Sequence, residues 1–195
     1  MATANGRFEG VLVRGMRIED IRGNKTISGN VLAGDLRSVT PGSNTVAIGS
    51  RLADTLGAYP GSQITLWNPE GRSTVMGTVP REVTYTVGAV FEIGVYDYDK
   101  AFVVMPMQDA QELLLMGDQV GMVEIQTSNP DKVQQVLAPL QKLVGGKGII
   151  VDWRQMNSAL FQALEIERVA MFVVLSLIVL VAVFNILSSL IMLVR

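Results

Sequence analysis

The triplet Gly145-Gly146-Lys147 comes closest in this sequence to a known catalytic motif, the phosphate-binding loop. A Walker-type loop needs a glycine five residues before the Gly-Lys pair and a serine or threonine after the lysine. Gln141 and Gly148 occupy those two positions. The triplet therefore fails the test for a nucleotide site and predicts an ordinary glycine-rich loop.

The acidic residues Glu92, Asp97 and Asp99 could be pictured around a divalent cation. They lack the spacing and the glycine of an EF-hand loop, so the sequence favours a solvated turn. Histidine and cysteine are absent, which removes the usual general base, the commonest transition-metal ligand and all thiolate chemistry. We therefore predict no catalytic residue, no metal and no cofactor, and a membrane-anchored enzyme is the least favoured class.

Strand-like and helix-like segments are intermixed through the first part of the chain. Strands are predicted at 8–15, weakly at 27–36, and at Val46–Ile48, Gln63–Trp67, 82–99 with a bulge near Gly88, Ala101–Met105, Val120–Gln126 and Ile149–Val151. Helices are predicted from Ser50 as cap to Leu56 with Gly57 as the stop, over Gln108–Met116, and after Asn129-Pro130. This order predicts an α+β domain followed by one long C-terminal helix. The formal net charge of −2 gives no sign of the concentrated basic face that a nucleic-acid partner requires.

The segment from Val169 to Val194 contains no charged residue. About 20 apolar residues are enough to span the hydrocarbon core of a bilayer. The alternative, a buried core helix, would need a much larger domain to enclose it. We therefore predict a transmembrane helix over residues 169–194, and Arg195 just beyond it favours a cytoplasmic C-terminal side.

An amphipathic segment precedes the apolar one. Asp152 and Gln155 form a capping-box pattern that starts a helix. Apolar residues then recur at helical spacing, namely Trp153, Met156, Leu160, Phe161 and Leu164. The stripe either continues the membrane helix as a rigid stem or packs under the globular domain. The predicted organisation is a domain over 1–151, a stalk helix over 152–168, and the membrane helix.

Three polar residues, Asn185, Ser188 and Ser189, lie within the predicted membrane helix. Polar groups at that depth usually face protein or a water-filled cavity. They predict packing against other membrane helices. A serine can also bond back to its own helix, which is the alternative.

The connection between the predicted strands Gln63–Trp67 and Val83–Phe91 is longer than an ordinary hairpin turn. It is bracketed by Pro69 and Pro80 and carries apolar residues on an otherwise polar segment. Prolines reduce the conformational freedom that a loop loses on docking. The sequence predicts a stiffened binding loop, with a floppy surface loop as the alternative.

Three segments together resemble a known family. They are NTVAIGSRLADTLGAYPGSQITL, GAVFEIGVYDYDKAFVVM and VDWRQMNSALFQALEIERVAMFVVLSLIVLVAVFNILSSLIMLV. They are similar to the membrane subunits of the bacterial lipoprotein-releasing ABC transporter, of the LolC, LolE or merged LolF type. The resemblance implies a MacB-like periplasmic domain between the first two of four membrane helices in the inner membrane. It also identifies this chain as a fragment that lacks the first membrane helix and the opening part of the domain, which would leave part of the sheet without partners.

The resemblance further implies partners and site residues. The partners are a separate LolD-like cytoplasmic ATPase, a LolA-like periplasmic carrier, a second membrane subunit in a homo- or heterodimer, the lipoprotein cargo and membrane lipid. The carrier-binding loop would comprise Pro69, Arg72, Val75, Met76, Val79, Pro80 and Arg81. An acyl cavity would be lined by Phe161, Leu164, Phe172 and Phe184. The alternative is a mechanotransmitting permease subunit of the MacB or FtsX kind, which acts on a periplasmic partner without lipid cargo.

Overall fold

The computed structural model of the protein describes residues 1–74, 77–127, 129–146 and 148–194. Val75, Met76, Lys147 and Arg195, which carry predictions made above, lie outside the described residues. The chain divides into two compact units, Met1–Val123 and Glu124–Arg195.

A mixed eight-stranded sheet forms the centre of the first unit. Its strands are β1 Ala2–Ala4, β2 Arg7–Glu9, β3 Leu12–Met16, β4 Val31–Gly34, β5 Thr45–Gly49, β6 Gln63–Thr74, β7 Gly77–Phe91 and β8 Phe102–Pro106. They follow the order β2-β1-β6-β7-β5-β8-β3, and β4 also pairs with β7. The β3–β8 and β5–β7 pairs are parallel and the others antiparallel.

Helices cover both faces of this sheet. They are α1 Ile18–Gly23, α2 Lys25–Ser28, α3 Ser50–Leu56, α4 Tyr96–Ala101 and α5 Met107–Leu114, with a 3₁₀ turn at Leu36–Ser38. One core cluster packs α3 and α5 on one face, and a second includes Ile21 of α1 and Ile27 of α2. The architecture is the predicted α+β class.

A β-bulge at Gly88 decides which residues of β7 enter which core. Tyr85 and Val87 belong to the cluster under α3 and α5, but beyond the bulge Val90 takes that face and Phe91 enters the other cluster. One inserted residue reverses the alternation of a strand, so the bulge shifts every later side chain to the opposite face. The bend predicted near Gly88 is confirmed.

Most predicted elements of the first unit are present, with some corrections. Residues 96–101 form α4 instead of continuing a strand, and the first predicted strand is divided at Gly10 between β2 and β3. Ser50 is the first helical residue, with Gly49 as the cap, so its capping role is wrong. Gly57 ends α3 in the left-handed conformation, as predicted.

The second unit is helical where it has regular structure. It contains a 3₁₀ turn at Pro130–Lys132, α6 Val133–Val144, α7 Trp153–Met156 and α8 Ser158–Val194. Asn129 caps the turn as predicted, because its side chain accepts a hydrogen bond from the Asp131 backbone N–H. The strands predicted at 120–126 and 149–151 are wrong, since neither segment has strand structure.

Helix α8 is the one element of the described chain that is long and apolar enough to cross a membrane. It contains 37 residues and is exposed along its whole length. At 1.5 Å per residue it is about 55 Å long, while a hydrocarbon core is about 30 Å thick. The helix can therefore span a bilayer and extend well beyond it on one side, without an interruption near residue 168.

Candidate functional site

The candidate site is a hairpin arm, defined here as residues 68–81 of β6 and β7. The sequence predicts a long loop in this region, and that prediction is wrong because the two strands continue. Backbone pairing extends through Arg72–Val79 and Ser73–Thr78 to Thr74–Gly77. Among the described residues, the outer half of the arm pairs only with itself. The arm therefore projects beyond the sheet as a two-stranded ribbon.

A wide irregularity in the arm explains its prolines. Between the Asn68–Arg81 and Arg72–Val79 pairs, three residues of β6 stand opposite the single residue Pro80 of β7. Pro69 is one of those three. Because proline has no backbone N–H to donate to a ladder, it is tolerated in strands at bulges. Both prolines thus mark the bulge of a paired arm instead of the ends of a loop.

Asn68 fixes the root of the arm. It is only 7 % exposed, and its Nδ2 donates a hydrogen bond of 3.2 Å to the carbonyl oxygen of Leu113 in α5. Its Oδ1 accepts one of 3.1 Å from the backbone N–H of Glu70, which shapes the bulge. Buried amides are costly unless paired, so these bonds favour one arm orientation relative to α5.

Charged and phenolic groups lie beneath this root. Burial raises the pKa of the Tyr85 hydroxyl to about 12, the negative charge of Asp109 adds to that shift, and the positive charge of Arg81 opposes it. Asp109 is 7 % exposed, and its Oδ1 accepts a 3.0 Å hydrogen bond from the Gly42 N–H. The Nε of Arg81 and the Oδ2 of Asp109 are shielded from solvent and have no hydrogen-bond partner among the described residues. The cluster is therefore electrostatically costly.

Asp109→Asn is expected to stabilise the protein at neutral pH. Burial raises the pKa of Asp109 above its ordinary value of 3.8. The folded protein thus binds this proton more tightly than the unfolded chain does, so its stability falls as pH rises from 3.8 through the folded-state pKa. The amide keeps an oxygen for Gly42 but carries no charge.

Urea unfolding at pH 4 and pH 7 checks this expectation. The gain from Asp109→Asn should be larger at pH 7, and the exposed Asp118→Asn should show no such difference. An equal effect of Asp109→Asn at both pH values would contradict a buried, protonation-dependent carboxyl.

The sequence-predicted residues of the arm occupy different environments. Val79 is 57 % exposed, and Pro69 and Pro80 are also exposed. Arg81 is half-buried at the root. Arg72 is described only by its backbone pairing with Val79, and Val75 and Met76 lie outside the described residues. The root residues Asn68, Tyr85 and Asp109 were not predicted, and the Asn-Pro pair ending a strand was the only local signal of a special position.

The residues assigned to the membrane all lie along α8. They are Phe161, Leu164, Phe172, Phe184, Asn185, Ser188 and Ser189, and each is exposed in the described chain. The acyl-cavity and helix-packing roles stay predictions, because they concern contacts with further membrane helices.

The acidic cluster has a structural explanation. Asp99 is 1 % exposed, and its Oδ1 and Oδ2 accept hydrogen bonds of 2.6 and 3.0 Å from the N–H groups of Ile93 and Gly94. The prediction of a solvated turn is wrong for this carboxylate. Glu92 and Asp97 are exposed. The described residues contain no group of three or more side chains able to hold a metal.

Residues 2–143 match the family model described as the MacB-like periplasmic core domain. The chain belongs to this family. Family membership accounts for the mixed sheet flanked by helices, and it confirms the MacB-like domain that the resemblance implied.

This MacB-like chain is also similar to curated proteins named "Lipoprotein-releasing system transmembrane protein LolC". The protein from Neisseria meningitidis serogroup B is 33 % identical over 188 residues, which cover 96 % of this chain and 45 % of that protein. Its counterpart from Xylella fastidiosa strain Temecula1 is 29 % identical, with the same coverage. These similarities confirm the family resemblance drawn from the sequence. The chain spans less than half the length of these relatives.

Proposed function

We propose that this chain is part of a membrane subunit of an ABC transporter that extracts outer-membrane lipoproteins from the bacterial inner membrane and passes them to a LolA-like periplasmic carrier. The observation that carries the proposal is the paired arm, which rises from a MacB-like domain in a chain similar to proteins named for lipoprotein release. The subunit has no catalytic role, and a separate LolD-like ATPase supplies the energy.

The arm is the carrier-binding element in this proposal. Its root is fixed by Asn68, and its strands are paired, so little conformational entropy is lost when a partner binds. Val79 provides exposed apolar area, and the arm sequence also includes the apolar residues Val75 and Met76. Methionine adapts to an irregular apolar groove. The proposed contact is therefore a small, preorganised apolar patch.

Helix α8 is the membrane part of the proposed subunit. Its apolar portion lies in the inner membrane, and its polar first turns continue into the periplasm. Phe172 and Phe184 line an acyl cavity formed with other membrane helices, with Phe161 and Leu164 at its mouth. Asn185 and the serines Ser188 and Ser189 pack against those helices or against a second membrane subunit.

A mechanotransmitting subunit of the MacB or FtsX kind is the second candidate, and the match to the MacB-like periplasmic core domain supports it. Such a subunit acts on a periplasmic partner and carries no lipid. The two candidates differ in what the arm binds. A lipoprotein carrier binds the arm only if the chain belongs to a lipoprotein-releasing transporter.

Val79→Asp and Met76→Asp are each expected to weaken carrier binding by roughly 30-fold, which corresponds to about 2 kcal/mol. A charge placed in a small apolar contact must be desolvated without a partner. The measurement is retention of a purified LolA-like carrier by the detergent-solubilised chain, quantified as a binding isotherm.

Val95→Asp is the matched control. Val95 is an exposed valine of the same unit, away from the arm, at the cap position of α4, where aspartate is well tolerated. It should leave carrier binding unchanged. Carrier binding that survives both arm variants would remove the carrier assignment and favour the mechanotransmitter.

A further inference from the structure

The one-turn helix α7 lies between α6 and α8 and contacts the elements on both sides. Its key residue is Trp153. The indole Nε1 donates a hydrogen bond of 3.1 Å to the carbonyl oxygen of Pro130, in the turn that leads into α6. The same ring packs edge-on against Phe161 in the first turns of α8, with 5.4 Å between the ring centroids. One side chain thus contacts the turn before α6 through its N–H and helix α8 through its ring.

Arg154 adds a second connection to the 3₁₀ turn before α6. Its guanidinium lies 3.4 Å from the carbonyl oxygen of Asp131 and 3.8 Å from the Asp131 carboxylate. It also lies 5.3 Å from the centroid of the Trp153 ring. Asp152 caps α7, because its Oδ1 accepts a 2.7 Å hydrogen bond from the Gln155 N–H. These contacts give α7 a defined place beside the 3₁₀ turn that leads into α6.

The chain breaks its helical path between α7 and α8 at a single residue, Asn157. The Asn157 Nδ2 donates a 2.7 Å hydrogen bond to the Trp153 carbonyl oxygen, and its own carbonyl accepts one of 3.1 Å from the Phe161 N–H. A helix interruption of this kind is where a long helix can bend. The contacts of Trp153 span this interruption.

We propose that Trp153 is a positioning residue that fixes the direction of α8 relative to α6 across the break at Asn157. Trp153 is 39 % exposed, so it contributes less to core burial than a fully enclosed tryptophan. Its contacts are directional, because the indole offers both an N–H donor and a ring edge. This inference rests on the proposed function, since an ATP-driven movement of α8 is what the junction would pass to α6.

The test uses the absence of cysteine from the chain. Nitroxide labels at Gln141→Cys on α6 and Gln162→Cys on α8, both exposed positions, report the distance between the helices by pulsed electron resonance. The full chain in nanodiscs is expected to give one narrow distance distribution. Trp153→Ala should widen it roughly twofold or more, because α8 can then bend at Asn157.

Three further variants make the test specific. Phe161→Ala should also widen the distribution, and adding it to Trp153→Ala should change little, because the contact between the two rings is already lost in Trp153→Ala. Trp153→Phe keeps a ring but loses the N–H, so it should widen the distribution to a lesser extent. If Trp153→Ala loses its helical circular dichroism signal and so does not fold, Trp153→Phe provides the test in its place. Met156→Ala, an exposed side chain on the same turn, should change nothing.

A broad distribution in the unmodified chain, or an unchanged one in Trp153→Ala, would overturn the proposal. So would equal widening by Met156→Ala. The measurement requires no carrier, cargo or ATPase. A failure of the proposed transport function would therefore show in carrier binding and leave this result intact.

Discussion

Asp99→Ala is expected to lower the free energy of unfolding by about 3 kcal/mol, because hydrogen bonds to charged groups contribute roughly 1.5–3 kcal/mol each. The buried carboxylate accepts two of them, from the N–H groups of Ile93 and Gly94. Alanine would leave both part-buried donors without the partner that the buried Asp99 provides. The substitution therefore removes the link that holds the turn after β7 to helix α4.

Urea unfolding of the detergent-solubilised chain measures this loss. Asp97→Ala is the control, since Asp97 is exposed in the first turn of the same helix and contributes only a helix-dipole interaction of about 0.3–1 kcal/mol. Asp99→Asn should fall between them, because the amide keeps one acceptor and turns an N–H₂ group toward a donor. Equal losses for Asp97→Ala and Asp99→Ala would contradict the anchoring role.

The elements that the sequence predicted correctly owe their stability to local pattern and burial together. β5 and β8 are short apolar runs covered on both faces, and α5 begins directly after β8. Ser50–Leu56 ends at a glycine that adopts the left-handed conformation. In each case the propensity, the hydrophobic pattern and the stop signal agree, and such agreement is what makes a segment predictable.

The segments that were predicted wrongly depend on contacts distant in sequence. Val120–Gln126 and Ile149–Val151 have strand composition, but a strand is stable only when another strand pairs with it. Helix α4 contains alternating tyrosines that resemble a strand, yet Asp99 fixes the preceding turn through backbone bonds. Composition alone could not reveal either the missing partner or the buried carboxylate.

The arm was likewise predicted only in part. Its apolar residues and prolines could be found from the sequence, because prolines and apolar residues within an otherwise polar segment are local signals. Its root could not, since Asn68 bonds to Leu113 and Asp109 bonds to Gly42, and no spacing rule connects residues so far apart in the chain. The pairing itself was missed because the prolines indicated loop ends, while in the structure they occupy a bulge.

Gly71→Ala is expected to disrupt the outer half of the arm while leaving the domain folded. A Cβ atom at Gly71 would overlap the backbone of Val79 and Pro80 on the opposite strand. Backbone atoms cannot move aside as a flexible side chain does, so the strands must separate at the bulge. Gly77 and Val79, the residues of the outer arm whose burial is described, are exposed and lie outside both core clusters. The free energy of unfolding should therefore change by less than about 1 kcal/mol.

Limited trypsin digestion measures the separation, because Arg72 lies immediately after the bulge. Cleavage there requires an extended, unpaired backbone. If the substitution lowers the free energy of strand pairing in the arm by about 1.4 kcal/mol, the cleavage rate should rise roughly tenfold. Gly10→Ala is the control, since a Cβ atom at Gly10 meets nothing within 4 Å. It should leave cleavage after Arg72 unchanged.

The same variant connects the geometry of the arm to the proposed function. A preorganised arm binds its carrier at low entropic cost, so loss of strand pairing should weaken binding even though every apolar side chain of the arm is retained. Val79→Asp changes the chemistry of the contact and Gly71→Ala changes only its geometry. If Gly71→Ala accelerates cleavage after Arg72 and carrier affinity is unaffected, the arm binds through its residues alone and its paired conformation has no part in recognition.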